Sequence, residues 1–361
     1  MSKQNEYFPQ SVPHPGLTLV DKLDELGMGP KEFALRTGKP EKTIIAIIKG
    51  KSSITPDMAV LFENVLHIPA HYWLNRQQRF DESIARSKSN MYVTEAVNWA
   101  KKFPIIEMIK NGWLPETMEI EEKADALLKF FRISNASAWD DYYISQKLKL
   151  DFRISLNSTH AAHSISAWLR QGEISAEMLD APVYDEKKFR ESLNEIKSLM
   201  ATQLKPFKKL QEICLASGVK LVYTPCLPKA PINGSTRWIN NVPLIQLSGR
   251  YNRNDIFWFT FFHEAGHILL HGKKDIFLEE VDYDGKDVIK EKEADAFAVK
   301  WTLSEKEEAE ISEIFNISDD VIVEYAKKFN THPAIIVGRL RRKGIKSQKF
   351  GQKFLEPVFI E

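Results

Sequence analysis

The stretch Asp255–Gly272, DIFWFTFFHEAGHILLHG, decides how the carboxy-terminal half of this chain folds. It predicts one α-helix, because Asn254 or Asp255 can cap its start and Gly272 suits its end. Phenylalanine, tryptophan, isoleucine and leucine lie on nearly every side of that helix, which is typical of a helix buried in a core. The same helix carries four polar side chains: His263, Glu264, His267 and His271. Such groups are costly to bury, and a metal ion is the simplest compensation.

The spacing of these side chains indicates a zinc site. His263 and His267 are one helical turn apart, so they leave the same face and can occupy two corners of a tetrahedral site. Glu264 lies about 100° around the helix, where it can take a proton from a zinc-bound water. The pattern H-E-x-x-H is the zincin signature. His271 is left as a ligand, a hydrogen-bond donor to a ligand or a substrate contact; we favour the hydrogen-bonding role, because a third ligand on that face would strain the site.

A catalytic zinc needs a third protein ligand, and the helix predicted over Val288–Lys300 offers one. In gluzincin metallopeptidases a ligand glutamate is followed four residues later by an aspartate that orients a zinc histidine. Glu291 and Asp295 have that spacing, so we expect Glu291 to be the ligand and Asp295 to hydrogen-bond a histidine. Glu293 is the alternative third ligand. A solvated charge run is the competing interpretation, which the apolar face after it disfavours.

A short sheet is predicted directly before the histidine helix, with strands over residues 219–224, 232–239 and 242–247 and a hairpin turn at Asn240 and Asn241. This order is that of zincins, whose edge strand can pair with an extended peptide. The oxyanion formed during peptide hydrolysis needs a donor besides zinc. Three side chains are candidates that the sequence does not rank: Arg237, Tyr251 and Tyr283.

The amino-terminal region predicts five helices punctuated by glycines, over residues 17–26, 30–37, 41–49, 56–66 and 70–87. Two short helices joined by a glycine-containing turn match a helix-turn-helix. The candidate DNA contacts are Lys39, Lys42, Thr43, Lys49 and Lys51. Because side chains that read bases are sparse here, a fold retained for dimerisation or partner binding stays open, with Ile45 and Ile48 as its apolar surface.

Composition places the chain among ordinary globular proteins and gives no global argument for nucleic acid or membrane, since the net charge of 361 residues is +1. Two cysteines and the absence of an apolar leader favour a cytoplasmic protein. The polar segment 83–90 suggests a boundary. We therefore expect a helix-turn-helix domain over residues 1–88, a helical middle region over 89–190 and a metallopeptidase domain over 191–361.

The last part of the chain is basic. From Ala326 to Leu355 there is no aspartate or glutamate. The same segment contains nine cations: Lys327, Lys328, Arg339, Arg341, Arg342, Lys343, Lys346, Lys349 and Lys353. Such a patch can contact phosphate or an acidic partner, and a solvated tail is the equal alternative.

Two family resemblances follow from these motifs. Residues 14–82 carry HPG at 14–16, FA at 33–34, IKGK at 48–51, ITPDMA at 54–59 and YWLN at 72–75. They resemble the lambda-repressor-like, XRE-type fold in the branch shared with HigA-type antitoxins, in which helix 41–49 would enter the major groove.

Residues 194–344 resemble the ImmA/IrrE metallopeptidases, through Trp238, IQL at 245–247, the histidine helix and EKEADAFA at 291–298. The resemblance implies a zinc endopeptidase that cleaves a DNA-binding repressor, with His263, His267 and Glu291 as ligands and Glu264 as the base. One departure is VKWTLS at 299–304, where family members often have a Leu-Met-Pro-like end.

The expected fold is thus multidomain: an all-α helix-turn-helix domain followed by a mainly helical α+β, zincin-like domain with a short sheet. The expected function is a zinc endopeptidase that acts on a repressor or antitoxin-like protein, with DNA as a second partner and a homodimer as a candidate assembly. The alternative is a DNA-binding regulator or antitoxin whose zinc domain senses or scaffolds without proteolysis.

Overall fold

The computed structural model describes residues 12–117, 119–143, 162–202, 205–230, 232–271, 277–278, 288–314 and 316–358. The chain divides into two compact units, Met1–Thr94 and Glu95–Glu361.

The first unit is all helical, as predicted. Its helices are α1 (Pro15–Glu25), α2 (Pro30–Thr37), α3 (Glu41–Ile48), α4 (Pro56–Leu66) and the start of α5 (Ala70–Ala100). Proline opens α1, α2 and α4, where its missing N–H costs nothing. Gly38, in the left-handed conformation, makes the turn from α2 to α3. The core consists of fully buried side chains: Leu19, Phe33, Ile44, Ile47, Ala59, Phe62 and Trp73.

The fifth helix extends beyond its predicted end at residue 87. The polar segment 83–90 continues helix α5, because it contains neither glycine nor proline, and Arg86 pairs with Glu82 at 2.6 Å on a solvated helix face. The two compact units divide close to this segment, between Thr94 and Glu95. Residues 96–111 do not form one continuous helix. Helix α5 ends at Ala100 and α6 (Ile105–Lys110) begins after Pro104, which has no N–H to continue a helix.

The second unit is mainly helical with one small sheet, again as predicted. The helices before the sheet are α6, α7 (Ile120–Phe131), α8 (Ala136–Trp139), α9 (Ala162–Glu177), α10 (Glu186–Thr202) and α11 (Phe207–Ala216). The sheet and the later helices are β1 (Lys220–Tyr223), β2 (Gly234–Ile239), β3 (Val242–Leu247), α12 (Asn254–Leu270), β4 (Phe277–Leu278), α13 (Val288–Thr302), α14 (Glu305–Ser312), α15 (Asp319–Lys328) and α16 (Pro333–Arg342).

Helix α9 binds directly to the sheet region. The Trp168 indole N–H donates to the Thr224 carbonyl at 2.9 Å, and Lys220 Nζ donates to the Ala176 carbonyl at 2.8 Å. The helices of residues 95–190 therefore share a compact unit with the sheet. The domain boundary expected near residue 190 stays a prediction.

The strand order is β1-β3-β2-β4. Strands β1 and β3 are parallel, while β2 is antiparallel to both β3 and β4. The hairpin turn lies at Asn240 and Asn241, as predicted, and both residues have positive φ, as a two-residue type I′ turn requires. Among the described residues, strand β4 comprises Phe277 and Leu278 and pairs with β2 opposite Thr236 and Ser235.

Helix α12 is the centre of the larger core. Its apolar side chains pack with the sheet, α10, α13 and α16, and the Phe262 and Trp301 rings stack 6.0 Å apart. The predicted cap at its start is wrong: Arg253 is the N-cap residue, and Asp255 pairs with the Arg253 guanidinium at 2.6 Å instead. The helix ends at Leu270, and Gly272 lies outside the described residues.

Candidate metal centre

Three side chains from two helices converge at the centre of the second unit. The Nε2 atoms of His263 and His267 are 3.0 Å apart. The Glu291 carboxylate oxygens lie 3.5 Å from His263 Nε2 and 3.8 Å from His267 Nε2. Zinc with bonds of about 2.0–2.2 Å in tetrahedral geometry separates its ligand atoms by about 3.3–3.6 Å. The donor set and its spacing thus fit a divalent metal such as zinc.

The close approach of α12 and α13 explains why Glu291 reaches the histidines. A Cβ on Gly266 would lie 3.2 Å from Phe297 Cβ and 3.3 Å from Ala294 Cα, so this glycine and alanine let the two helices pack tightly. The turn of α13 that carries Glu291 is thereby brought against the turn of α12 that carries His263 and His267.

A carboxylate fixes the proton of His263. The Nδ1 atom of His263 lies 3.0 Å from Asp295 Oδ1. An ionised carboxylate only accepts hydrogen bonds, so Nδ1 carries the proton and Nε2 keeps its lone pair. Asp295 therefore occupies the orienting position expected from its spacing to Glu291.

A longer chain of hydrogen bonds fixes His267. Glu293 Oε2 lies 3.0 Å from His271 Nε2, and His271 Nδ1 lies 2.9 Å from His267 Nδ1. With Glu293 accepting from His271, His271 Nδ1 becomes an acceptor and takes the N–H of His267. His267 Nε2 then keeps its lone pair, which faces that of His263. Two lone pairs at 3.0 Å repel, and a cation between them removes the repulsion.

The two candidate glutamates are therefore placed differently. Glu291 lies in the buried cluster with a side chain 13% exposed, whereas Glu293 is 55% exposed and contacts His271. Sequence spacing could not assign this contact of Glu293, because it depends on how α13 lies against α12.

Glu264 is fully buried beside the cluster. Its carboxylate lies against the start of β2, where a Cβ on Gly234 would come within 2.6 Å of Glu264 Oε1. The Thr236 hydroxyl donates to the Glu264 carbonyl at 3.0 Å and so ties β2 to α12. The absence of a side chain at Gly234 is thus required for the position of this carboxylate. No pattern in the sequence indicated this role.

A cleft of about 570 Å³ opens beside the metal cluster and is lined by His263, Glu291 and Asp295. Its other walls include Asn233, Phe259 and Thr260 and, from α16, Arg339, Arg341 and Arg342. These arginines belong to the basic segment 326–355 of the sequence, and only the folded chain brings them into the same cleft as the metal cluster.

The structure rules out one candidate oxyanion donor. Thr236 faces α12, and because successive strand residues point to opposite faces, Arg237 points to the other side of the sheet. There the buried Arg237 guanidinium donates to the Leu169 carbonyl at 2.7 Å and to Ser235 Oγ at 3.1 Å. Burial lowers the pKa of Arg237, while the Glu173 carboxylate acts in the opposite direction.

The other two donor candidates stay predictions. Tyr251 is half exposed, and its ring lies 4.8 Å from the Arg250 guanidinium. It lines a small cavity of about 20 Å³ that shares Asn233 and Thr260 with the cleft, but it is not among the residues that line the cleft itself. Tyr283 lies outside the described residues.

In the first unit, α3 buries Ile44 and Ile47, and Ile48 is partly buried beside them. Lys42, Lys49 and Lys51 are exposed, and Lys39 and Thr43 are partly exposed. The five candidate DNA contacts are thus accessible. Ile48 packs against the core of the first unit, which weakens the alternative that α3 offers an apolar contact surface.

Comparison with known proteins identifies both parts of the chain. The family model described as Peptidase_M78, IrrE N-terminal-like domain, matches residues 214–341, which contain the whole metal cluster. Residues 214–341 form a Peptidase_M78 domain of the IrrE/ImmA-like type. The second unit therefore contains a metallopeptidase-type domain in which the His-His-Glu cluster lies, and the ImmA/IrrE resemblance is confirmed.

Two curated relatives are similar to the amino-terminal part of the chain. Virulence-associated protein A of Dichelobacter nodosus is 32% identical over 104 residues, which cover 28% of this chain and 96% of that protein. The uncharacterized HTH-type transcriptional regulator YddM of Escherichia coli (strain K12) is 30% identical over 82 residues, 23% of this chain and 85% of that protein. The protein is thus a fusion of a regulator-like module with a peptidase-like domain.

Two solved structures are similar to the same short portion of the chain. An addiction module antidote protein of a HigA family from Coxiella burnetii is 29% identical, with a TM-score of 0.23, over 24% of this chain and 94% of that one. Pseudomonas aeruginosa antitoxin HigA with the higBA promoter is 26% identical, with a TM-score of 0.21, over 21% of this chain and 85% of that one.

Within the part of the chain that the structure describes, no helix is long and apolar enough to cross a membrane. The cytoplasmic location stays a prediction.

Proposed function

We propose that this protein is a zinc-dependent endopeptidase that cleaves a transcriptional repressor or antitoxin-like protein and so regulates gene expression. The observation that carries the proposal is the convergence of His263, His267 and Glu291 beside the buried carboxylate of Glu264. A cleft that opens onto this cluster gives a peptide access to it.

Zinc held by the two histidines and Glu291 would supply Lewis-acid polarisation of the scissile carbonyl and a water pKa lowered from about 15.7 toward 7. Glu264 takes the proton of the attacking water on its carboxylate and passes it to the leaving amine. Gly234 leaves room for this carboxylate, and Asp295 holds His263 with Nε2 deprotonated. The cleft positions the peptide so that its carbonyl lies close to Glu264.

The helix-turn-helix module would bind DNA through the outward face of α3. The accessible cations Lys39, Lys42, Lys49 and Lys51 suit phosphate contacts, and Thr43 suits a base or phosphate contact. The relationship to an HTH-type transcriptional regulator supports this role. A homodimer on DNA is the assembly we expect, because such modules commonly read two half-sites.

A regulator or antitoxin whose metal domain only senses or scaffolds is the second candidate, and the accessible lysines of α3 are the observation in its favour. A scaffold has no use for a carboxylate fully buried beside the metal ligands, because burying one is costly. For this reason we favour the peptidase.

The deciding experiment compares wild-type protein with Glu264→Gln. Metal content is measured by mass spectrometry, and each protein is incubated with purified helix-turn-helix repressors and antitoxins. We expect both proteins to bind zinc, and the variant to lose cleavage by a factor on the order of 10³. Glu195→Gln, on the exposed face of α10, is the control and should cleave normally. Full cleavage by Glu264→Gln, or none by the wild type, would refute the proposed mechanism.

A further inference from the structure

The wall that α16 contributes to the cleft carries excess positive charge. Arg339 lies 3.3 Å from the Glu308 carboxylate, which also binds Lys343 at 2.6 Å, so one anion serves two cations. Arg341 is buried and donates to the Phe350 carbonyl at 2.8 Å and to the Gln352 side chain at 3.1 Å, neither of which is charged. The wall therefore attracts anions.

Arg342 is the cation of this wall that is available to a ligand. It is exposed, and among the residues that the structure describes no carboxylate lies within 4.0 Å of it. Its guanidinium carbon lies 5.7 Å from the centre of the Phe259 ring, a contact that holds the group while its N–H edges stay accessible. Arg253, which also lines the cleft, is instead paired with Asp255 at 2.6 Å.

Arg342 lies within a few peptide residues' length of the metal cluster. Phe259 precedes His263 by one helical turn, and their ring centres are 6.4 Å apart. The steps from Arg342 to Phe259 and from Phe259 to His263 together span at most about four residues of an extended peptide at about 3.3 Å each. A side chain bound by Arg342 would thus belong to a residue close to the scissile bond.

Two buried oxygens line the same cleft. Asn233 Oδ1 and Thr260 Oγ1 have no hydrogen-bond partner in the described part of the chain, although the two residues are 5% and 2% exposed. Buried polar groups are nearly always paired, so these oxygens suit a ligand that brings hydrogen-bond donors. Peptide N–H groups are such donors.

We propose that Arg342 selects an aspartate or glutamate side chain within about four residues of the scissile bond, while Asn233 and Thr260 accept hydrogen bonds from the peptide main chain. The inference rests on the proposed peptidase function and adds a substrate class to it: segments with an acidic residue at one position near the cut. A guanidinium binds a carboxylate through two parallel N–H bonds, which gives the selection its geometry.

The test uses the full-length zinc-loaded protein and a peptide library in which the positions around each cut vary among Asp, Glu, Gln and Lys. Cleavage sites and rates are read by mass spectrometry. We expect the wild type to prefer an acidic residue at one position by about tenfold. Arg342→Gln should remove the preference, and Arg342→Glu should reverse it toward Lys.

Lys349→Glu is the matched control, because it makes the same charge change at an exposed position that does not line the cleft, and it should keep the acidic preference. Wild-type cleavage with the same profile in Arg342→Glu overturns the assignment of Arg342 and leaves the peptidase function intact. If the wild type cleaves the library no faster than Glu264→Gln, both the assignment of Arg342 and the peptidase function are overturned. Altered DNA affinity in Arg342→Glu with an unchanged cleavage profile would assign Arg342 to nucleic acid instead.

Discussion

Helices α12 and α3 each carry the candidate functional side chains of their unit, but one is buried and the other is not. Helix α12 is covered by the sheet on one side and by α10, α13 and α16 on others, so its histidines and Glu264 lie inside the core. Helix α3 buries only Ile44 and Ile47 and keeps Lys42 and its neighbours in solvent.

This difference in burial determines how precisely the functional atoms of each helix are positioned. In α12 the packing that stabilises the domain also fixes each functional atom, so a change of one methyl group can be felt at the metal cluster. In α3 the long charged side chains adapt to a ligand, so the contribution of each is small and additive. Functional effects should therefore be large around α12 and small around α3.

After the loss expected for Glu264→Gln, the largest effect is expected from Gly234→Ala. The added Cβ would lie 2.6 Å from Glu264 Oε1, so the carboxylate must move, and peptide cleavage should fall on the order of 100-fold. Zinc content should not change, because the ligands are elsewhere. The control in the first unit is Gly29→Ala, where a Cβ meets nothing within 4 Å. Equal activities of the two variants would contradict the assigned role of Gly234.

Next comes Glu293→Leu, which removes the acceptor that orients His271 and, through it, His267. Zinc affinity, measured by competition with a chelator, should fall about 10- to 100-fold. Glu293→Gln keeps an acceptor oxygen and should lose much less. If both variants bind zinc like the wild type, the hydrogen-bond chain does not position His267.

Metal removal should destabilise the second unit and leave the stability of the first unit unchanged. Binding to the native state stabilises by about 2.7 kcal/mol when free zinc is 100 times the dissociation constant, so chelation should lower the unfolding temperature of the second unit. Native-state hydrogen exchange should show faster exchange in α12 and α13 and no change in α1–α4. Equal loss of protection in both units would mean that the comparison between them is wrong.

The smallest effect is expected from Lys42→Ala on the exposed face of α3. Loss of one phosphate contact should weaken DNA binding slightly. It should also reduce the slope of log K against log salt concentration by about 0.9. The free energy of unfolding should stay within about 0.5 kcal/mol of wild type. Peptide cleavage should be unchanged, and a strong loss of cleavage would show that this surface takes part in proteolysis.

Local patterns predicted most elements of this fold. The hairpin at Asn240 and Asn241 and the strand Val242–Leu247 were found because turn chemistry and alternation are local properties. One failure was also local in origin. The fifth helix was predicted to end at residue 87, but α5 continues through the polar segment to Ala100, because a solvated helix face is polar as well.

The sequence by itself determined the histidine pair, because one helical turn places His263 and His267 on one face wherever the helix packs. It also determined the candidate Glu291–Asp295 pair by the same spacing. Only the tertiary structure decided that Glu293 meets His271, that Arg237 faces away from α12 and that Arg342 lines the cleft. These contacts join elements distant in sequence, and their geometry depends on close approaches such as Gly266 against Ala294, which no local period encodes.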